Sequence, residues 1–245
     1  MADRLLALID EMHVEIKLTE EDHLGFMAAN FLSKQYDHLR SIILLEPSRD
    51  VILIARSMIE GLCQLLWAAR DPLVLPLKWR TFSCIEDWRN LRKYLARGDF
   101  VDPVKQAAVN ANLEKYGNEF FNRKSRGARE KGNPLPKDPY CRDWRCGMSI
   151  KDVCEEVGGS DLYERLYTNW SGWHHWSPGG FSASLTRQDD RLIYTTLSST
   201  DAASALASGF QCVIQTAEIT NDHLNMGFEK AIDQLKEMCL LIKRN

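Results

Sequence analysis

The chain has 245 residues, 44 % hydrophobic and 27 % charged, with a net charge of −3. That length supports a full buried core, and the composition is ordinary for a globular protein. The charge balance excludes a chain that is basic throughout but leaves room for a local basic patch. Charges at Asp3, Arg4, Asp10 and Glu11 deny the N-terminus the apolar core of a signal peptide. No uninterrupted apolar run approaches the roughly 20 residues of a membrane span. Seven cysteines without regular spacing suit a reducing compartment and mostly free thiols. The expectation is a cytoplasmic protein with no membrane partner.

Helical periodicity dominates the chain. From Glu20 to Glu46, Leu24, Met27, Ala28, Phe31, Leu32, Leu39, Ile42 and Ile43 recur at three-and-four spacing, with Thr19 as the expected N-cap and Pro47 as the stop. Ser48 is placed to cap the next helix, which is apolar on nearly every face and closes at Pro72. Such a helix belongs at the centre of its domain. A loop holding Pro72 and Pro76 follows, then helices over Phe82–Gly98 and Asp102–Gly132, the second opening on Asp102 and Pro103. Residues 132–149 hold three prolines and read as a loop. Ser149 and Asp152 open a short helix that ends in the pair Gly158 and Gly159, and Ser160 caps another running to about Trp173. Residues 178–200 read as a loop or small hairpin, and helical pattern resumes from Asp201 to about Lys243. The expected fold class is all-α: one helical domain over 1–245, a bundle with a short irregular or hairpin insertion before a long C-terminal helix.

Three constellations carry candidate chemistry. In "YTNWSGWHHWSPGG", Tyr167, Ser171 and His175 continue the face of Tyr163 at i+4 steps, while His174 points about 100° away. A hydroxyl four residues before an imidazole can fix its tautomer, as a general base requires. The plainer alternative is an aromatic core with a structurally bonded histidine. In "ARSMIEGL", Arg56 and Glu60 stand four apart in the most apolar helix, and burial obliges each to find an opposite charge. They make either a structural ion pair or part of a polar site. Between Asn122 and Lys137, Arg123, Lys124, Arg126, Arg129, Lys131 and Lys137 face one acid, Glu130, a run that suits phosphate contact or a solvated helix face.

Cofactor and metal signals are weak. Cys141 and Cys146 lack paired zinc-knuckle spacing. Glu20 and His23 make a single Glu-x-x-His where a di-iron bundle needs two. Phosphate-binding glycine loops and nucleophile elbows are absent from the sequence. Neither a cofactor nor a metal is expected.

Arg56, Ser57 and Glu60, then Trp144, Gly147, Ser149 and Ile150, then Tyr167, Ser171 and His175 follow one another in an order that resembles bacterial domain-of-unknown-function family 5677 over roughly residues 26–178. That resemblance implies an all-helical fold and no known activity. The chain is more distantly similar to the HEPN superfamily of helical bundles, which implies metal-independent RNA cleavage in toxin or phage-defence settings, with a site completed across a dimer. Members use an arginine four to six residues from the histidine. Here the nearest preceding arginine is Arg165, so Arg56 would stand in from another helix. On this view His175 is the general acid/base, Ser171 orients it, Tyr167 shares its face, and Arg56 holds a phosphate while paired with Glu60. The alternative is a non-enzymatic helical binding or regulatory module, its polar cluster structural and its C-terminal helix forming a homodimer. The expected partners are RNA, on the first view, and a second copy of the chain.

Overall fold

The computed structural model describes residues 1–164, 170, 173 and 184–242. In chain order the helices are α1 (Ala2–Glu15), α2 (His23–Leu45), α3 (Val51–Ala69), α4 (Leu75–Thr81), α5 (Ser83–Arg97), α6 (Pro103–Tyr116), α7 (Arg123–Glu130), α8 (Ile150–Glu156) and α9 (Ser160–Leu162). Strands β1 (Leu185–Gln188) and β2 (Arg191–Tyr194) form a hairpin, and α10 (Ser199–Leu224) and α11 (Glu229–Ile242) end the chain. The fold is all-α, and among the described residues the hairpin is the only sheet. The chain divides into two compact units, Met1–Pro72 with Ile150–Asn245, and the inserted Leu73–Ser149.

The first unit is built on α2, α3 and α10. Gln35 of α2 donates to the Met58 carbonyl of α3 (2.8 Å), and His38 lies 3.4 Å from Ser57, so these two helices run antiparallel. At one end of α2 Asp22 meets His223 of α10 at 2.7 Å. Toward the other, Gly209 lies against Leu39, Ile42 and Met58, where a Cβ would sit 3.3 to 3.5 Å from their side-chain ends. Glycine at that crossing lets three helices approach closely. Leu32, Leu39, Ile42, Met58, Ile59 and Val213 are fully buried there. By length and composition α3 is apolar enough to cross a membrane, and over half of its apolar window is buried within the unit. The hairpin pairs Leu185 with Tyr194 through Gln188 with Arg191, and its turn holds Asp189 at φ 52°.

Several boundaries differ from the sequence reading, each for a local reason. The first 15 residues already form a helix, burying Leu5, Leu8, Ile9 and Met12. Asp22, not Thr19, caps α2, accepting from the Gly25 amide at 2.8 Å. Ser48 lies two residues before the N-cap Asp50 of α3 and instead accepts from the Asp50 amide. Pro76 does not sit in a loop but in the first turn of α4, where its missing N–H costs nothing. Ser160 is the first residue of α9, behind an N-cap at Gly159. The helix expected over 102–132 breaks at a 3-10 turn, Gly117–Phe120, because Phe121 leaves the helix to bridge and stack on Tyr140 (5.3 Å). Asn122 then restarts the chain as α7 through the Ser125 amide. The C-terminal helical stretch likewise splits. Asn225 and Gly227 take positive φ (51° and 83°), and the Asn221 carboxamide accepts from Phe228 and donates to Glu229 across the break.

Candidate functional site

Arg56 and Glu60 stand together on one flank of α3. Their closest approach is 3.6 Å, with the arginine side chain 13 % and the glutamate 34 % exposed. The arginine is thus mostly withdrawn from water beside a half-exposed carboxylate, which offsets part of its desolvation. Tyr163, following α9, feels both charges. Its phenol pKa is raised, first by burial and then by Cys154 and Glu60, against the lowering pull of Lys151 and Arg56. The glycine pair positions it: Gly158 turns at φ 74°, and a Cβ on Gly159 would lie 3.3 Å from the Cys154 carbonyl and 3.5 Å from the Cys63 sulfur. A side chain at Gly158 would be strained, and one at Gly159 would be crowded. A hydrogen bond with the neighbouring Cys154 thiol, together with burial, pushes Cys63 far above the usual thiol range, so Cys63 stays protonated. Trp67 donates to Glu156 (2.9 Å) and holds α8 at the far end of α3.

The other three residues of the expected pocket, Tyr167, Ser171 and His175, lie outside the described residues. Of the expected pocket the structure therefore brings together Arg56 and Glu60. Among the described residues no three His, Cys, Asp or Glu side chains are grouped to hold a metal ion.

A second polar centre was missed by the sequence reading. Arg49, in the turn between α2 and α3, is 9 % exposed. It binds Asp201 at 2.7 Å, donates to Ser184 and lies over the Trp173 ring at 5.3 Å. Trp173 in turn donates to Asp50 (3.1 Å). The Arg49 amide donates to the Thr196 carbonyl, and Ser48 bridges to Leu197. A charged residue in a turn ordinarily reads as solvated. Asp201, 152 positions later, gives no local signal of the partnership.

The basic run lies in the inserted unit. Arg126 donates to the Phe121 carbonyl (2.7 Å), and Arg129 donates to Asn118 (2.9 Å) while covering the Phe121 ring. These two therefore also hold α7 to the turn before it. Arg123, Lys124 and Lys131 are exposed. Elsewhere in the unit Arg89 clamps the proline-rich loop, binding Asp138 at 3.0 Å and the Cys141 carbonyl at 2.9 Å. Burial would raise the Asp138 carboxyl, but the Arg89 hydrogen bond and charge hold it below its ordinary value. Leu73–Ser149 carries 16 Lys and Arg against 9 Asp and Glu, a net +7. The rest of the chain carries 15 against 25, a net −10, so the overall −3 conceals two strongly opposed parts.

No curated protein matches the chain significantly, and no solved structure does. The model of a family of unknown function, DUF5677, matches residues 26–192. By that match, which covers well over half of its length, the chain belongs to DUF5677.

Proposed function

We propose that the protein is a helical RNA-binding module that holds the phosphate backbone on its inserted basic unit. The observation that supports this is the segregation of charge, +7 on Leu73–Ser149 against −10 on the remainder. A polyanion is drawn to the first part and repelled by the second, which both steers and orients it. Exposed aromatic rings in the same unit, Phe100 at 89 % and Tyr94 at 48 %, favour a single strand, whose unpaired bases stack on such rings. In this reading Arg56 and Glu60 are a structural pair within the first unit. A dimer would use the apolar groove of about 480 Å³ lined by Ala207, Phe210, Ile214 and Leu240.

The test is binding of a labelled 20-nucleotide single-stranded RNA to the full chain at increasing salt. If Arg123, Lys124, Lys131, Lys137 and Arg142 each meet a phosphate, affinity falls roughly 100-fold between 50 and 200 mM salt. Arg123→Glu with Lys124→Glu then weakens binding at least about tenfold. Absence of binding at 50 mM salt, or binding indifferent to these two changes, overturns the proposal. Cleavage of the same RNA that is lost in His175→Ala would instead support a ribonuclease pocket of Arg56, Glu60, Tyr167, Ser171 and His175, acting in a toxin or phage-defence setting.

A further inference from the structure

Within the inserted unit, α5 and α6 enclose a cleft of about 270 Å³. Its construction follows from the turn between them. Gly98 ends α5 in the left-handed region (φ 78°), with its own amide on Leu95 and the Asp99 amide on Tyr94. That cap turns the chain so that Phe100 projects beside the helix end, and Asp102 with Pro103 starts α6 at once, Asp102 accepting from the Val104 amide at 2.9 Å. Buried Leu91 and Val109 line the cleft with Tyr94 and Phe100, and Asp87, Asn90 and Lys105 are its other polar contributors beside Asp102. Asp87, Asn90, Leu91 and Tyr94 fall at i, i+3, i+4 and i+7, so one face of α5 supplies both a ring and hydrogen-bonding groups.

We propose that this cleft receives one unstacked base of a bound RNA strand, with guanine preferred. A phenylalanine left 89 % exposed gains most from a flat apolar partner, and a nucleobase is one. Guanine presents two adjacent donors on its pairing edge, N1–H and N2–H. A carboxylate accepts both side by side, which no other unmodified base allows. Asp102 is occupied as a helix cap, so Asp87 is the carboxylate assigned to the base. Asn90, one turn along, offers an amide donor to O6, and Lys105 supplies the charge for the adjoining phosphate.

This rests on the RNA-binding reading, and the experiment separates the two. Wild type, Phe100→Ala and Asp87→Asn are titrated with a ten-nucleotide oligouridylate, with the same strand carrying one central guanosine, and with one carrying adenosine. Guanosine should tighten wild-type binding roughly tenfold, in line with one base–aromatic stack. Phe100→Ala should lose that gain, and Asp87→Asn should bind the guanosine and adenosine strands equally. A guanosine strand bound no better than oligouridylate, or a preference that survives Asp87→Asn, overturns the base site but not the backbone reading. If no strand binds at all, titration with guanosine monophosphate alone decides the cleft. Binding lost in Phe100→Ala upholds it without the RNA reading, and no binding ends both.

Discussion

Replacing Arg49 with methionine keeps an unbranched stem like that of the arginine and removes the charged guanidinium. The change abolishes the 2.7 Å contact to Asp201, the bond to Ser184 and the cation over Trp173 at 5.3 Å. Removing one partner of a fully buried pair costs 3–5 kcal/mol. Asp201 keeps 25 % of its side-chain surface in water, so the stranded carboxylate is partly rehydrated and the cost falls to about 2 kcal/mol. Loss of the stacked cation adds about 1 kcal/mol. A total near 3 kcal/mol corresponds to a fall of roughly 6–12 °C in Tm for a chain of this size. Urea unfolding followed by circular dichroism, with the slope checked for constancy, measures it. Asp201→Asn and the double variant close a cycle whose coupling should be about 1–2 kcal/mol. The reasoning is refuted if Arg49→Met costs under about 0.5 kcal/mol, or if the two changes add without coupling.

Three further outcomes are expected. Burial raises the Asp22 carboxyl, but the His223 and Gly25 hydrogen bonds outweigh it and leave the folded pKa below the ordinary 3.8. The resulting stability is complete above that ordinary value and is lost as pH falls through the lower folded pKa. Acid titration of Asp22→Asn should therefore show a flatter decline below about pH 4, with the cap itself largely kept, since asparagine caps a helix about as well as aspartate. Gly209→Leu forces new carbon into the contact with Leu39, Ile42 and Met58, and should lower unfolding free energy by at least about 1–3 kcal/mol in the same urea assay. Of seven cysteines, Cys63, Cys84, Cys141, Cys154 and Cys212 are buried, and Cys146 is pushed up to about 12, first by burial. A thiol reagent at pH 8 should label Cys239 fastest and Cys146 slowly in the native chain, with the other five appearing only in denaturant. Prompt native labelling of more than two thiols contradicts that order.

What could be read from the sequence divides by the range of the force involved. The three-and-four spacing of Leu24, Met27, Ala28, Phe31 and Leu32 placed α2, because periodicity and burial act within one helix. The same kind of reading found Arg56 and Glu60, whose partnership lies within a single turn. It failed where a distant group decides the backbone. Phe121 leaves its helix for Tyr140, and Arg49 is withdrawn from water by Asp201. The split at Asn225 is a middle case. Asn221 answers it from one turn away, and the Asn-Met-Gly run carried the signal, yet the apolar pattern on either side concealed it.

Charge shows the same division. A net −3 spread over 245 residues argues against nucleic acid, and a count along the chain notices only the run from Arg123 to Lys137. Bounds drawn by tertiary contact give Leu73–Ser149 its +7. Arg89, Arg126 and Arg129 also pin that unit's loops, so the cations split between holding the unit together and facing solvent. Charge-reversing the exposed Arg123 and Lys124 should therefore weaken polyanion binding and leave the unit folded, whereas Arg89→Ala should loosen the 137–142 loop first. The larger change of charge thus costs less stability than the smaller one, and that contrast is what separates a binding surface from a structural clamp.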